Sequence, residues 1–208
     1  AGLWERLAPH ATPLQVMRII DAGGKLSQAR LTRDFDAAEI SDQPFGWNLP
    51  NWLLKREISA RLATLQNVRF LPGTGTAGLI ARENEALVTL TDGSRLRADL
   101  VIGADGRGSK VREGAGISTR RWSYPQTAIV LNFGHSRSHG NVSTEFHTPT
   151  GPFTQVPLPG NRSSLVWVVR PEEASRLLSL DNAALSLAVE ERVQSMLGKV
   201  TVEPGAES

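Results

Sequence analysis

Asp99-Leu100-Val101-Ile102-Gly103-Ala104-Asp105-Gly106-Arg107-Gly108-Ser109-Lys110-Val111-Arg112 is the stretch on which the reading of this chain turns. Leu100, Val101 and Ile102 form a short apolar run bounded by Asp99 and Gly103, a pattern that predicts a buried strand. Gly103, Gly106 and Gly108 fall within six positions, so the backbone can turn sharply there and approach another group closely. Asp105 then stands at the carboxyl end of the predicted strand, where ligands lie in open α/β sheets. Ser109 is a candidate N-cap for a helix starting at Lys110. A carboxylate so placed can accept hydrogen bonds from sugar or sugar-alcohol hydroxyls. The local features also allow a plainer outcome, an aspartate that only caps its own turn.

Composition narrows the classes around this stretch. The 208 residues are 40% hydrophobic and 21% charged, an ordinary globular balance that suits one large domain or two small ones. The net charge is +2 and no Lys/Arg run occurs, which argues against nucleic acid as the main partner. The absence of cysteine rules out disulfides and thiolate metal sites. No window reaches 18 apolar residues, and Ala1-Gly2-Leu3-Trp4-Glu5 lacks the basic and apolar regions of a signal peptide. A soluble, cytoplasmic protein is expected.

In chain order, Leu3, Trp4 and Leu7 share a helical face before Pro9 and Pro13 interrupt it. Val16–Ile20 reads as a strand, and Ala29–Phe35 alternates in the manner of a half-exposed one. Apolar residues at 54, 58, 62 and 65 predict a helix with Asn51 as its N-cap, and Val68–Leu71 predicts the next strand. Gly73-Thr74-Gly75-Thr76-Ala77-Gly78 matches G-x-G-x-x-G, but a dinucleotide fingerprint must open a helix. The next residues instead give Leu79–Arg82, a turn near Glu83–Glu85, Leu87–Leu90 and a second turn at Asp92-Gly93. These glycines are therefore read as turn residues of a β-meander.

Beyond the opening stretch, strands are expected over Thr127–Phe133, Val142–Phe146, Phe153–Leu158 and Ser164–Val169. Helices are expected over Glu172–Leu178 and Ala183–Leu197. Consecutive antiparallel strands with helices on one face suit an α+β domain. His135, His139 and His147 lie close in sequence, but alternating strands are not expected to make them converge, and no metal site is read from them. No Ser/His/Asp grouping has the spacing of a nucleophile and its base.

The run centred on Asp105-Gly106 and closed by Arg112 resembles the "DG" motif of class A flavoprotein monooxygenases. Phe45–Leu54 resembles the segment leading into the FAD-domain helix of the ubiquinone-biosynthesis hydroxylases, and Gly2–Leu7 resembles the entry to their substrate domain. The resemblance implies a mixed α+β and α/β architecture: part of a glutathione-reductase-like FAD domain (helix, β-meander, DG-motif strand) plus a β-sheet substrate domain with helices on one face. Residues 1–44 and 119–208 would form the substrate domain and 45–118 the middle of the FAD domain. A phosphate-binding fingerprint and a second flavin-contacting segment are missing, so an internal piece of a longer enzyme is expected.

That enzyme would hydroxylate an aromatic ring, in the first instance a prenylated phenol of ubiquinone biosynthesis, with FAD, NAD(P)H and O2. Asp105, Gly106, Gly103, Arg112 and Leu54 are the implied cofactor-binding residues, and the catalytic residues stay unassigned. The implied partners are the small aromatic substrate, a membrane reached through a prenylated substrate, and a second copy of the chain. The alternatives are a hydroxylase of a small non-prenylated phenol and a non-catalytic binding module of the same fold.

Overall fold

A computed structural model describes residues 2–23 and 31–205. The chain divides into two compact units, Ala1–Arg61 with Tyr124–Ser208 and, inserted between them in sequence, Leu62–Ser123. The first segment holds α1 (Trp4–Leu7), β1 (Thr12–Leu14), β2 (Val16–Asp21), β3 (Leu31–Asp36), β4 (Gly46–Asn48) and α2 (Asn51–Leu62). The inserted unit holds β5 (Thr76–Ala81), β6 (Ala86–Leu90), β7 (Arg95–Ala98) and α3 (Lys110–Gly114). The second segment of the larger unit holds β8 (Thr127–His135), β9 (Val142–Thr148), β10 (Gly151–Leu158), β11 (Arg162–Val169), α4 (Pro171–Leu178), α5 (Asn182–Arg192) and β12 (Val200–Val202).

The larger unit is built on a seven-stranded sheet in the order β12-β8-β11-β10-β9-β2-β3. All neighbours are antiparallel except β2 and β9, which come from separate chain segments and pair in parallel. Strand alternation sorts the side chains onto two faces. On one face Ile129, Leu131, Phe133, Phe146, Phe153, Leu165 and Trp167 are buried against Ala174 and Leu177 of α4 and Leu185 and Val189 of α5. Phe153 meets Phe146 and Trp167 edge-on, with ring centroids 5.7 and 5.2 Å apart, which suits the aromatic quadrupoles. The opposite face leaves Val130, Val166, Met17 and Phe35 partly in the open. Substrate-domain character, a β-sheet with helices on one face, is therefore present as expected.

Two details seal this core. The outward amides of edge strand β12 do not stay free, because Val200 N–H donates to Glu190 Oε2 (3.1 Å) and Val202 N–H to Ser186 Oγ (2.9 Å), both on α5. A helix thus satisfies the edge that would otherwise recruit another strand. Deeper in, His135, Ser163 and Gln155 form a directional chain. His135 Nδ1–H donates to the Arg137 carbonyl (2.6 Å), Ser163 Oγ–H donates to His135 Nε2 (3.0 Å), and Gln155 Nε2 donates to Ser163 Oγ (2.7 Å). Burial pushes the His135 imidazole below its ordinary pKa, so the ring is held neutral.

The inserted unit is the β-meander read from the glycines, β5-β6-β7 in sequence order, with Gly93 at a φ of 84° in the second turn. Other expectations are corrected. Val68–Leu71 and Leu100–Ile102 are extended but form no strand, since no described neighbour offers them a ladder. Their apolar side chains face solvent, with Leu100 75% and Ile102 79% exposed. The last helix stops at Arg192 and not at Leu197, because Gln194 and Ser195 take positive φ values of 54° and 52°.

Asn51 is the first residue of α2 and not its cap, and Pro50 C=O accepts from both Leu53 and Leu54 N–H. The buried positions of that helix are Leu53 and Glu57. Glu57 faces the guanidiniums of Arg6 (3.0 Å) and Arg56 (2.9 Å), whereas Ile58 of the apolar stripe stays exposed. β1, β4 and β12 have no counterpart in the sequence reading, and Ala29–Arg30 of the expected second strand lie outside the described residues.

Gly151 has a φ of 143°, and a Cβ there would lie 2.6 Å from Val168 Cγ1. Gly151→Ala should cost about 2–3 kcal/mol and lower the melting temperature by roughly 5–10 °C. Gly160→Ala, in open space at a φ of 74°, should cost about 1 kcal/mol; equal effects would refute the packing argument. The neutral His135 gives a second expectation. The unfolded chain takes up a proton on this ring below pH ~6.5, while the folded chain resists until lower pH. Stability should therefore be unaffected above about pH 7, fall as pH drops below ~6.5, and level off below the lowered folded value. Urea midpoints of the wild type and His135→Asn across this range should draw together toward acid pH; a constant gap would show that the ring is not held neutral.

Candidate functional site

The turn between Gly103 and Ser109 is shaped by the start of α3. Ser109, 5% exposed, caps the helix: its Oγ accepts from Arg112 N–H (3.0 Å) and its hydroxyl donates to Asp105 Oδ1 (2.5 Å). Asp105 Oδ2 accepts from the backbone amides of Lys110 (2.7 Å) and Val111 (3.1 Å). Three of the first amides of the helix are thereby satisfied by two side chains. These bonds, the Ser109 hydroxyl first and the Val111 amide next, hold the Asp105 carboxyl below the usual aspartate range. On the other side of the turn, the Arg112 guanidinium donates to the Arg107 carbonyl (2.8 Å).

Glycines let the helix sit this close. A Cβ on Gly103 would come within 3.0 Å of Val111 Cγ1, and one on Gly114 within 2.8 Å of Leu79 Cβ on β5. At the crown of the turn the situation reverses. Gly106 has a φ of 84°, and neither Gly106 nor Gly108 has any atom within 4 Å of a built Cβ. Among the described residues no hydrogen bond uses the amides of Gly106, Arg107 or Gly108. The turn is therefore a strip of free backbone donors with open space over it, the kind of surface that phosphate or ribityl oxygens can approach. Beside it lies a cavity of about 530 Å3, whose apolar wall includes Leu79, Val101, Val111 and Ile117 and whose rim carries Gly103, Gly106 and Arg112.

The sequence left two roles open for Asp105, a ligand for sugar hydroxyls or a cap. In the structure both carboxylate oxygens are engaged within the turn, by Ser109, Lys110 and Val111. Gly103, Gly106 and Arg112 gather around it at one cavity, as the spacing suggested. Leu54 is half-buried on α2, in the larger unit.

Two of the histidines do meet, contrary to the sequence reading: the His135 and His139 rings lie 5.6 Å apart, centroid to centroid. Their nitrogens are engaged within the protein, those of His139 by the Leu158 carbonyl (2.9 Å) and the Asn141 amide (3.0 Å). No group of three metal-ligating side chains occurs among the described residues.

This geometry has relatives. A family model described as "FAD binding domain" matches residues 1–204. Ubiquinone hydroxylase UbiL of Rhodospirillum rubrum is 39% identical over 199 residues, covering 96% of this chain and 45% of that protein. The 3-demethoxyubiquinol 3-hydroxylase of Escherichia coli is 33% identical over 168 residues, covering 80% of this chain and 43% of its own length. The chain thus spans a little under half the length of these curated relatives. Among solved structures, PqsL of Pseudomonas aeruginosa, a probable FAD-dependent monooxygenase, superposes with a TM-score of 0.74 at 20% identity, covering 98% of this chain and 58% of that one. The p-nitrophenol 4-monooxygenase PnpA of Pseudomonas putida gives 0.71 at 17% identity, covering 99% and 53%. Those two likenesses concern the fold. With the match running through both compact units and across the Asp105 turn, the chain belongs to the FAD binding domain family.

Proposed function

We propose that this chain contributes the DG turn and the substrate-domain sheet of a longer FAD-dependent monooxygenase that hydroxylates an aromatic ring. The observation that carries the reading is the strip of unengaged amides at Gly106–Gly108, held in shape by Asp105 and Arg112. It lies within a chain matched to an FAD-binding family. A surface without Cβ atoms and with several free N–H donors fits the oxygens of the ribityl or diphosphate part of FAD. Bound there, FAD would supply the redox chemistry, with NAD(P)H as the electron source and O2 as the source of the oxygen atom.

The remaining contribution of the protein is placement and exclusion of water. Residues 45–118 would lie along the cofactor, and residues 1–44 and 119–208 would present the open sheet face to the ring. The names of the relatives favour a ubiquinone precursor, an aromatic ring with a prenyl tail, over a small phenol. No helix among the described residues is long and apolar enough to cross a membrane, so such a substrate would be taken up at a membrane surface.

Gly106→Val in the complete protein tests the flavin reading, because a β-branched residue cannot adopt a φ of 84° without strain. FAD affinity, read by quenching of flavin fluorescence, should fall by tenfold or more with the sheet core intact. Asp105→Ala should weaken FAD by roughly three- to thirtyfold and also lower the melting temperature of the apo-protein, since its carboxylate holds α3. Unchanged FAD affinity in folded Gly106→Val would remove the reading.

A further inference from the structure

The larger unit contains a second hollow, of about 550 Å3, between the Asn48–Trp52 segment and the open face of the sheet. Its walls are mostly apolar, with Trp52, Val130, Val156 and Leu158 among them. Among the described residues, the one charged side chain lining it is Arg162, whose guanidinium is bound on two nitrogens by Glu203 (2.6 and 2.7 Å). No cation is left there to hold a carboxylate or phosphate. The hollow therefore suits a neutral, largely apolar guest, and a few polar groups would decide its orientation.

Asn48 supplies that polar group. Its amide lines the hollow, and its Nδ2 is buried without a hydrogen-bond partner. Directly across the β1–β4 ribbon stands Thr12, 4% exposed, whose Oγ1 is also buried and unpartnered. Buried polar atoms nearly always find partners, so two orphans at one cross-strand pair mark a place where a partner is missing. The Asn48 amide has no bond to break and can present either end. A phenolic O–H can donate to Oδ1, or, with the amide turned over, Nδ2–H can donate to the phenolic oxygen.

We infer that this hollow seats the ring of a neutral, alkyl-substituted phenol, with Asn48 hydrogen-bonding the ring hydroxyl. The inference rests on the proposed hydroxylase reading and deepens it, since it selects tailed neutral phenols over acidic ones such as hydroxybenzoates. Asn48 is a positioning residue for the substrate in this assignment. The flavin site at Gly106 does not depend on it.

Calorimetric titration of the chain with 4-hexylphenol, 4-hexylanisole and 4-hydroxybenzoate tests it. 4-Hexylphenol should bind, and 4-hydroxybenzoate should bind at least tenfold more weakly. Asn48→Leu should weaken 4-hexylphenol by roughly tenfold and leave the anisole, which has no hydroxyl to donate, within about twofold. Val156→Trp, which fills the hollow from a different strand, should abolish binding of both alkyl compounds while the melting temperature shows the sheet intact. Equal binding of 4-hydroxybenzoate, no binding of 4-hexylphenol, or a phenol affinity indifferent to both substitutions would overturn the assignment. Binding of lumiflavin in place of the phenol would give the hollow to the cofactor ring and overturn it too. The Gly106→Val measurement decides the hydroxylase reading separately.

Discussion

The burial of one face of a seven-stranded sheet under two helices governs the rest of this structure. Each strand has a side-chain period of two, so once Ile129, Leu131 and Phe133 turn toward α4 and α5, Val130 and Asn132 must turn away. The same constraint runs across the ladder, from the Leu131–Leu165 pair to the Val130–Val166 pair. A one-residue slip would exchange the two sets and put Asn132 into the core. The register that makes the core therefore also creates the open face, and with it the hollow beside Asn48. Stability and ligand reception are two faces of one choice.

The inserted unit solves a different problem, that of presenting bare backbone without letting it collapse. A glycine-rich turn has many conformations to lose on ordering. Here the loss is offset by side chains that grip the turn from behind. Asp105 and Ser109 hold the first amides of α3, and Arg112 holds the Arg107 carbonyl. With those groups anchored, the amides of Gly106–Gly108 stay unpaired at the crown. Asp105 matters to the site through the shape it imposes, which explains why an acidic residue can mark a cofactor turn while its own oxygens point into the protein.

Polar chemistry in the interior obeys the same rule of mutual satisfaction. His135, Ser163 and Gln155 bond one another in a single direction, and the neutral ring that this requires is the form that burial favours. Glu57, by contrast, is a buried carboxylate between two arginines, Arg6 and Arg56. Thr12 and Asn48 are the exceptions, and they fall at the edge of a cavity and not in the middle of the core.

Much of this was legible in the residues. Alternation and β-branched runs marked β8 to β11, the Pro171 break and apolar spacing marked α4 and the first part of α5, and the turn chemistry at Asp92-Gly93 told the meander from a dinucleotide loop. Ser109 as a cap and the gathering of Gly103, Gly106 and Arg112 were also legible, because they depend on contacts a few residues apart. Tertiary structure alone decided what depends on distant partners. Leu100–Ile102 has the composition of a strand, but a strand exists only where a neighbour supplies its hydrogen bonds. The 54-58-62 stripe has the spacing of a buried face, yet Glu57 is buried because Arg6, some fifty positions away, reaches it. Asn48 gave no signal in the sequence, since an asparagine becomes a binding group only when folding buries its amide without giving it a partner.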